Sequence, residues 1–241
     1  MSQTEADVVV VAAGESRRMG GGSSKLLLPL AGRPLLAWTL APFQAAPRVR
    51  RVVLVIRDSD REAMDALVRR EGLTKAQGHY AAGGDCRADS VASGLDFLHR
   101  QGPAEWVLVH DGARPFVRQR MIEESFQAAE ATGSAIVAIP VQDTIKEADA
   151  EQLAIRTLDR RGLWQVQTPQ AFRFTLLWEA YRRLPAGDWS RWTDDAMILE
   201  AQGTPSAIVP GDVTNLKVTT QDDLLWAEFL LSRHPELRPE G

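Results

Sequence analysis

Residues 8–25 read V-V-V-V-A-A-G-E-S-R-R-M-G-G-G-S-S-K, an apolar run that ends in a loop rich in glycine and positive charge. Gly14 permits a tight turn, and Gly20, Gly21 and Gly22 let successive backbone amides turn toward an anion. Arg17, Arg18 and Lys25 supply charge, a combination suited to a triphosphate. The loop is neither of two familiar phosphate-binding patterns. A Walker A loop needs Gly directly before its Lys and Ser or Thr after it, but Lys25 lies between Ser24 and Leu26. The dinucleotide pattern G-x-G-x-x-G does not begin at Gly14. The plain alternative is a surface loop with solvated cations.

Two further segments carry similar chemistry. In A-G-G-D-C-R-A-D-S, residues 82–90, Gly83 and Gly84 expose backbone groups that, with Asp85 and Ser90, can read a base edge. The alternative there is a turn capped by Asp85. In V-L-V-H-D-G-A-R-P, residues 107–115, Asp111 ends an apolar strand, a usual place to hold a nucleotide or a metal ion. His110 reads as a packing residue. Scattered groups remain: Asp143-Thr144, Asp159-Arg160, Thr168-Pro169-Gln170, Thr193-Asp194-Asp195 and Asn215-Leu216-Lys217. Each alone could be a turn or a cap, with Thr193 an N-cap for the helix that follows. No G-x-S-x-G nucleophile motif and no H-E-x-x-H is present. Phosphoryl or nucleotidyl transfer asks little of side chains beyond positioning and charge, and so fits this inventory.

The elements that must position these residues alternate. Apolar runs at 8–12, 51–56, 79–82 and 106–110 are each followed by helical spacing, at 34–44, 59–71, 87–100 and 118–132, with a further strand at 134–140. Runs apolar on both faces predict an α/β fold, a doubly wound and mostly parallel sheet covered by helices, with ligands beyond the carboxyl ends of its strands. Residues 141–168 break the rhythm and read as an inserted β-hairpin arm within a single domain spanning 1–241. Such an arm is too thin to bury its own core and should lean on something else, a second subunit being the obvious candidate. Helices are expected at 173–183 and 194–202, strands at 206–210 and 216–219, and a last helix after Thr220, with Asp223 completing a capping box. Residues 235–241 read as a frayed tail.

The net charge of −4 argues against a nucleic-acid partner. The single cysteine, Cys86, excludes an intrachain disulfide. With no run long enough to span a bilayer, the reading is a cytoplasmic protein with no membrane partner. Of the 28 basic residues only four are Lys, at 25, 75, 146 and 217. A Lys kept in a chain that otherwise uses Arg hints that a compact ammonium is wanted there.

Taken in order, A-A-G-x-S-x-R-M then Lys, G-G-x-x-R-x-D-S, H-D-x-A-R-P, D-T-x-K, D-R-x-G-L-W-x-x-Q-T-P-Q-x-F, T-D-D-A and N-x-K-V-T resemble the 2-C-methyl-D-erythritol 4-phosphate cytidylyltransferases over nearly the whole chain. The resemblance implies transfer of CMP from CTP to methylerythritol phosphate with Mg²⁺. It implies that Ala12, Ala13, Gly14, Gly84, Asp85 and Ser90 hold the cytosine and ribose, and that Arg18 and Lys25 contact the triphosphate. Asp111 would sit near the ribose and the metal. Thr144, Arg160, Thr168 and Lys217 would bind the second substrate, with Thr144 and Arg160 reaching a partner's site in a homodimer joined by the arms. Ser24 stands where the family often has proline. Thr214 stands where many members carry an acidic residue, with Asp212 two positions away. The alternatives are a ribitol 5-phosphate cytidylyltransferase and a non-catalytic nucleotide-binding regulatory domain.

Overall fold

The computed structural model describes residues 4–14, 24–187 and 189–238. Strand β1 (Ala6–Val11) pairs in parallel with β4 (Val49–Ile56) and with β6 (Trp106–Asp111), and β4 pairs in parallel with β5 (Tyr80–Ala82). These are the runs apolar on both faces. Alternation along them divides the core: Val8 and Val10 of β1 enter one cluster and Val9 the other. Four helices cover the first face: α1 (Leu35–Ala45), α2 (Arg61–Arg70), α4 (Gln119–Thr132) and α7 (Gln221–Arg233). The second face is covered by α3 (Arg87–Arg100), α5 (Phe174–Arg182) and α6 (Ala196–Glu200). A small antiparallel pair, β2 (Pro29–Leu30) and β3 (Arg33–Pro34), precedes α1.

The sheet has seven strands in the order β11-β7-β10-β6-β1-β4-β5, where β7 is Ser134–Pro140, β10 is Trp164–Arg173 and β11 is Ala207–Pro210. Six of the strands run parallel, as expected. The exception is β10, which lies antiparallel between β6 and β7. Its first half falls in the stretch assigned from sequence to the arm. The arm is shorter, a hairpin of β8 (Lys146–Ala148) and β9 (Ala154–Thr157) with its flanks. The misassignment has a physical cause. W-Q-V-Q-T alternates like a half-exposed strand because its outer end is exposed, while Gln167 to Phe172 are buried.

The register of β10 against β7 shifts between Val166 and Gln170. Irregularities of this kind re-aim side chains beside active sites; here Gln167 bonds to the Asp212–Asn215 turn and the Thr168 hydroxyl to the end of β6. Residues 216–219, expected as a strand, form an irregular segment tied down by Val218 N–H to the carbonyl of Ala113, at 2.8 Å. Thr220 and Asp223 cap α7 reciprocally, as expected. The side chain that receives an α6 amide is Asp194, from Met197 N–H at 2.8 Å, in place of Thr193. Of the stretch read as a frayed tail, Pro235–Leu237 forms a 3-10 turn with Leu237 buried. Among the described residues no helix is long and apolar enough to cross a membrane.

Candidate active site

The loops that leave the carboxyl ends of β1, β5 and β6 meet at one edge of the sheet. Ala12 N–H donates to Val55, Gly83 N–H to Ile56 and Gly112 N–H to Val11, at 2.8, 2.8 and 2.9 Å. The first two loops touch at Gly83, where a Cβ would stand 2.2 Å from that of Ala13; only a glycine permits that approach. Ala12 is buried, while Gly14, Gly84 and Asp85 are exposed along the same edge. Ser90 is buried, and its hydroxyl accepts from Gly84 N–H at 3.1 Å and donates to the Cys86 carbonyl at 3.0 Å. It therefore shapes the glycine loop. Asp85 does not cap α3: Asp89 accepts from Cys86 N–H at 3.0 Å in a capping box, which leaves the Asp85 carboxylate exposed. Arg17, Arg18 and the glycines 20–22 lie outside the described residues.

Asp111, the last residue of β6, is the centre of a charge cluster. Its Oδ1 accepts from Arg87 Nε at 3.2 Å, and its Oδ2 faces Lys217 Nζ at 3.0 Å and Arg114 Nε at 3.4 Å. Burial alone would raise the pKa of this carboxyl, but Arg87, Lys217 and Arg114 outweigh it and hold the group far below the usual carboxylate range. Three cations around one carboxylate leave the cluster net positive, a fit for phosphate. Lys217 is its exposed member, with 41% of its side chain accessible against 9% for Asp111.

Chain segments far apart in sequence close on this point. Lys25 Nζ donates to the carbonyl of Val218 at 2.8 Å, so the first lysine of the chain grips the residue after the last. Ser24, in the family's proline position, caps the 3-10 turn Lys25–Leu27 with its side chain. Asn215 is buried, with Nδ2 donating to Thr168 O and Gln167 Oε1 at 3.0 and 3.2 Å. Its own carbonyl accepts from Arg114 at 2.8 Å. Asp212 accepts from Thr214 N–H and hydroxyl, at 2.9 and 2.7 Å, and faces Arg118 at 3.6 Å. The acidic residue near Thr214 thus serves its own turn.

Thr168 is buried, and its hydroxyl accepts from the Asp111 amide at 3.1 Å. The same hydroxyl donates to His110 Nδ1 at 3.0 Å, because His110 Nε2 must carry the proton it gives to the Arg114 carbonyl, at 3.2 Å. Burial depresses the His110 pKa to about 4. The group is therefore neutral when folded, and its share of the stability is complete above pH 6.5, the ordinary value. That share is lost as the pH falls from there toward 4, since the unfolded chain takes up the proton first. Urea unfolding of the native chain and His110→Gln at pH 7 and at about pH 4.5 should show about 2–3 kcal/mol less acid loss in the variant. An equal acid loss in both would remove His110 from the account.

Thr144 and Arg160 are not drawn into this cluster. Both are exposed on the arm, where Arg160 donates to the carbonyl of Gln142 across its base. Conversely, Arg87, Arg114, Gln170, Tyr181 and Asp195 belong to the cluster or its support, and none of them was given a role from the sequence. Arg87, Arg114, Gln170 and Asp195 lay within quoted motifs, but Tyr181 is one aromatic in an amphipathic helix and carries no sequence signal. As for a metal, no group of three His, Cys, Asp or Glu able to hold one occurs among the described residues. A single carboxylate, Asp111, fits a Mg²⁺ ion bound chiefly through nucleotide phosphates, the usual manner for that ion.

A sheet of this topology, with glycine loops and a cation-ringed carboxylate at its carboxyl edge, defines an α/β nucleotidyltransferase. Residues 6–233 match the family model IspD: 2-C-methyl-D-erythritol 4-phosphate cytidylyltransferase. The chain is 43% identical over 225 residues to the enzyme of that name from Dehalococcoides mccartyi strain 195, covering 93% of this chain and 95% of the relative. It is 42% identical over 226 residues to that of Geobacillus thermodenitrificans, covering 94% and 96%. Among solved structures, the 4-diphosphocytidyl-2C-methyl-D-erythritol synthase of Anaerococcus prevotii superposes with a TM-score of 0.82 at 28% identity, covering 95% of this chain and 97% of that one. The cytidylyltransferase of Thermus thermophilus gives 0.71 at 33%, covering 95% and 99%. The chain belongs to the 2-C-methyl-D-erythritol 4-phosphate cytidylyltransferase family, enzymes that form the cytidylyl derivative of that sugar phosphate from CTP. The ribitol phosphate and non-catalytic alternatives give way to this assignment.

Proposed function

We propose that this chain carries out the transfer by in-line attack, with a phosphate oxygen of methylerythritol phosphate displacing pyrophosphate from the α-phosphorus of CTP. One observation supports this above the others. Lys217, one of only four lysines, pairs with Asp111, and a second, Lys25, holds the carbonyl of the next residue, Val218. The nucleophile is already an anion and requires no general base. The cost lies in bringing anions together, and fixed cations that meet the charge as it develops lower it.

In this reading Arg18 and Lys25 contact the triphosphate, and Ala12, Ala13, Gly14, Gly84, Asp85 and Ser90 form the nucleoside side of the site. Asp111 faces the ribose, and Lys217 turns from Asp111 to the phosphate of the second substrate. Thr168 borders that substrate while holding the Asp111 amide. A Mg²⁺ ion carried by the triphosphate would add charge neutralisation, with Asp111 its protein ligand. The enzyme works in the cytoplasm. Pyrophosphate release across CTP, UTP, ATP and GTP, with methylerythritol phosphate or ribitol phosphate as acceptor, tests the substrate pair. Release should require CTP and methylerythritol phosphate, and equal rates with ribitol phosphate would overturn the specificity.

The arm supplies the second part of the proposal. Leu153 and Ile155 are 65% and 58% exposed on a hairpin with no core of its own, which supports a second subunit as its partner. In a dimer joined by the arms, Thr144 and Arg160 serve the neighbour's site. Mixing inactive Lys25→Ala subunits with inactive Arg160→Ala subunits should then restore activity, because the hybrid contains one intact site. If the arm served its own chain, mixing would restore nothing.

A further inference from the structure

The buried side of Asp111 is held by a residue that the transfer step does not use. Arg87 opens α3 with 19% of its side chain exposed. Its Nε donates to Asp111 Oδ1 at 3.2 Å and its Nη2 to Asp195 Oδ2 at 2.8 Å. Asp195 is fully buried and is itself fixed from two other sides. Its Oδ1 accepts from the Tyr181 hydroxyl of α5 at 2.6 Å, and its amide donates to Gln170 Oε1 of β10 at 3.1 Å. One guanidinium thus spans the carboxylate at the end of β6 and an anchored carboxylate before α6.

This arrangement divides the two oxygens of Asp111. Oδ1 is taken by Arg87, and Oδ2 is left to Arg114 and Lys217, toward the accessible side. We infer that Arg87 is a positioning residue for cytidylyl transfer: its planar fork, anchored through Asp195 and Tyr181, fixes the Asp111 carboxylate with Oδ2 turned to Lys217 and the ligands. The inference rests on Asp111 acting in the nucleotide site as proposed above. Charge alone does not do this work. A lysine is a point charge on a flexible stem and cannot set the plane of one carboxylate while gripping another.

The test compares the native chain, Arg87→Lys, Asp111→Asn and the double variant by pyrophosphate release, with urea unfolding to confirm that each folds cooperatively. Arg87→Lys should lower kcat/KM by about 10- to 100-fold where Asp111 is present, mainly through kcat, the scale expected when a reacting group is misplaced by a fraction of an ångström to an ångström. In the Asp111→Asn background the same change should cost no more than about 2-fold, the scatter of uncoupled sites. Equal losses in both backgrounds would make Arg87 a structural residue and overturn the inference, leaving the role of Asp111 intact. Native activity in Asp111→Asn would overturn both. If Arg87→Lys does not fold, Tyr181→Phe serves in its place: it removes one anchor of Asp195 and keeps both ion pairs. Its loss of kcat should likewise depend on Asp111, and a loss independent of Asp111 would again overturn the inference.

Discussion

Lys25→Ala lowers kcat by ~10²–10³, the usual cost of removing a donor that meets developing charge, with a much smaller rise in KM for CTP. The split follows from where the ammonium stands. In the free chain Nζ already holds the carbonyl of Val218, next to Lys217. A lysine that swings from this carbonyl to the phosphates gains little when CTP merely binds, since one favourable contact replaces another. It gains most when negative charge builds on the α-phosphate and the departing pyrophosphate. Lys25→Arg should recover only part of the rate, because the bulkier guanidinium cannot follow the same path beside Val218. Steady-state pyrophosphate release with CTP varied gives both constants. A variant with near-native kcat and a raised KM would show that Lys25 contributes uniform binding and would remove it from the transition state.

Asp195→Ala should be the most damaging single change to the fold, costing about 3–5 kcal/mol as the breaking of a buried ion pair does. Asp195 has no solvent exposure and serves two donors, Arg87 Nη2 and the Tyr181 hydroxyl. Truncation leaves both without an acceptor in a region water does not reach. Arg87 already has one buried nitrogen, Nη1, without a partner, so the guanidinium has no spare contact to fall back on. Asp195→Asn keeps an acceptor oxygen and should cost less. Urea midpoints converted with a common slope measure both. A loss below about 1 kcal/mol for the alanine variant, the level of an exposed pair, would mean that the triad is not the buried unit described.

Most of the sheet was legible in the sequence because parallel strands covered on both faces must be apolar throughout, and each of those runs became a strand. The exception was β10. A central antiparallel strand that leaves the sheet at one end reads like the arm that precedes it, and nothing local marks where the sheet begins. Which of two neighbouring polar side chains caps a helix was not legible either. Asp85 and Thr193 are both good caps by type, yet Asp89 and Asp194 receive the amides.

The site divides in the same way. Sequence alone determined the kinds of residue: glycines at strand ends, Asp111 closing an apolar run, and two lysines retained among arginines, because local backbone geometry and residue chemistry demand those types in those places. Their grouping was decided only by the tertiary structure. Lys25 meets Val218 and Arg87 meets Asp195 across separations of 193 and 108 residues. Tyr181 joins them through one hydroxyl that no pattern announces. Contacts of that range depend on how helices and loops close over the sheet, and the energy that selects them, a buried carboxylate needing every donor it can reach, exists only once water has been excluded.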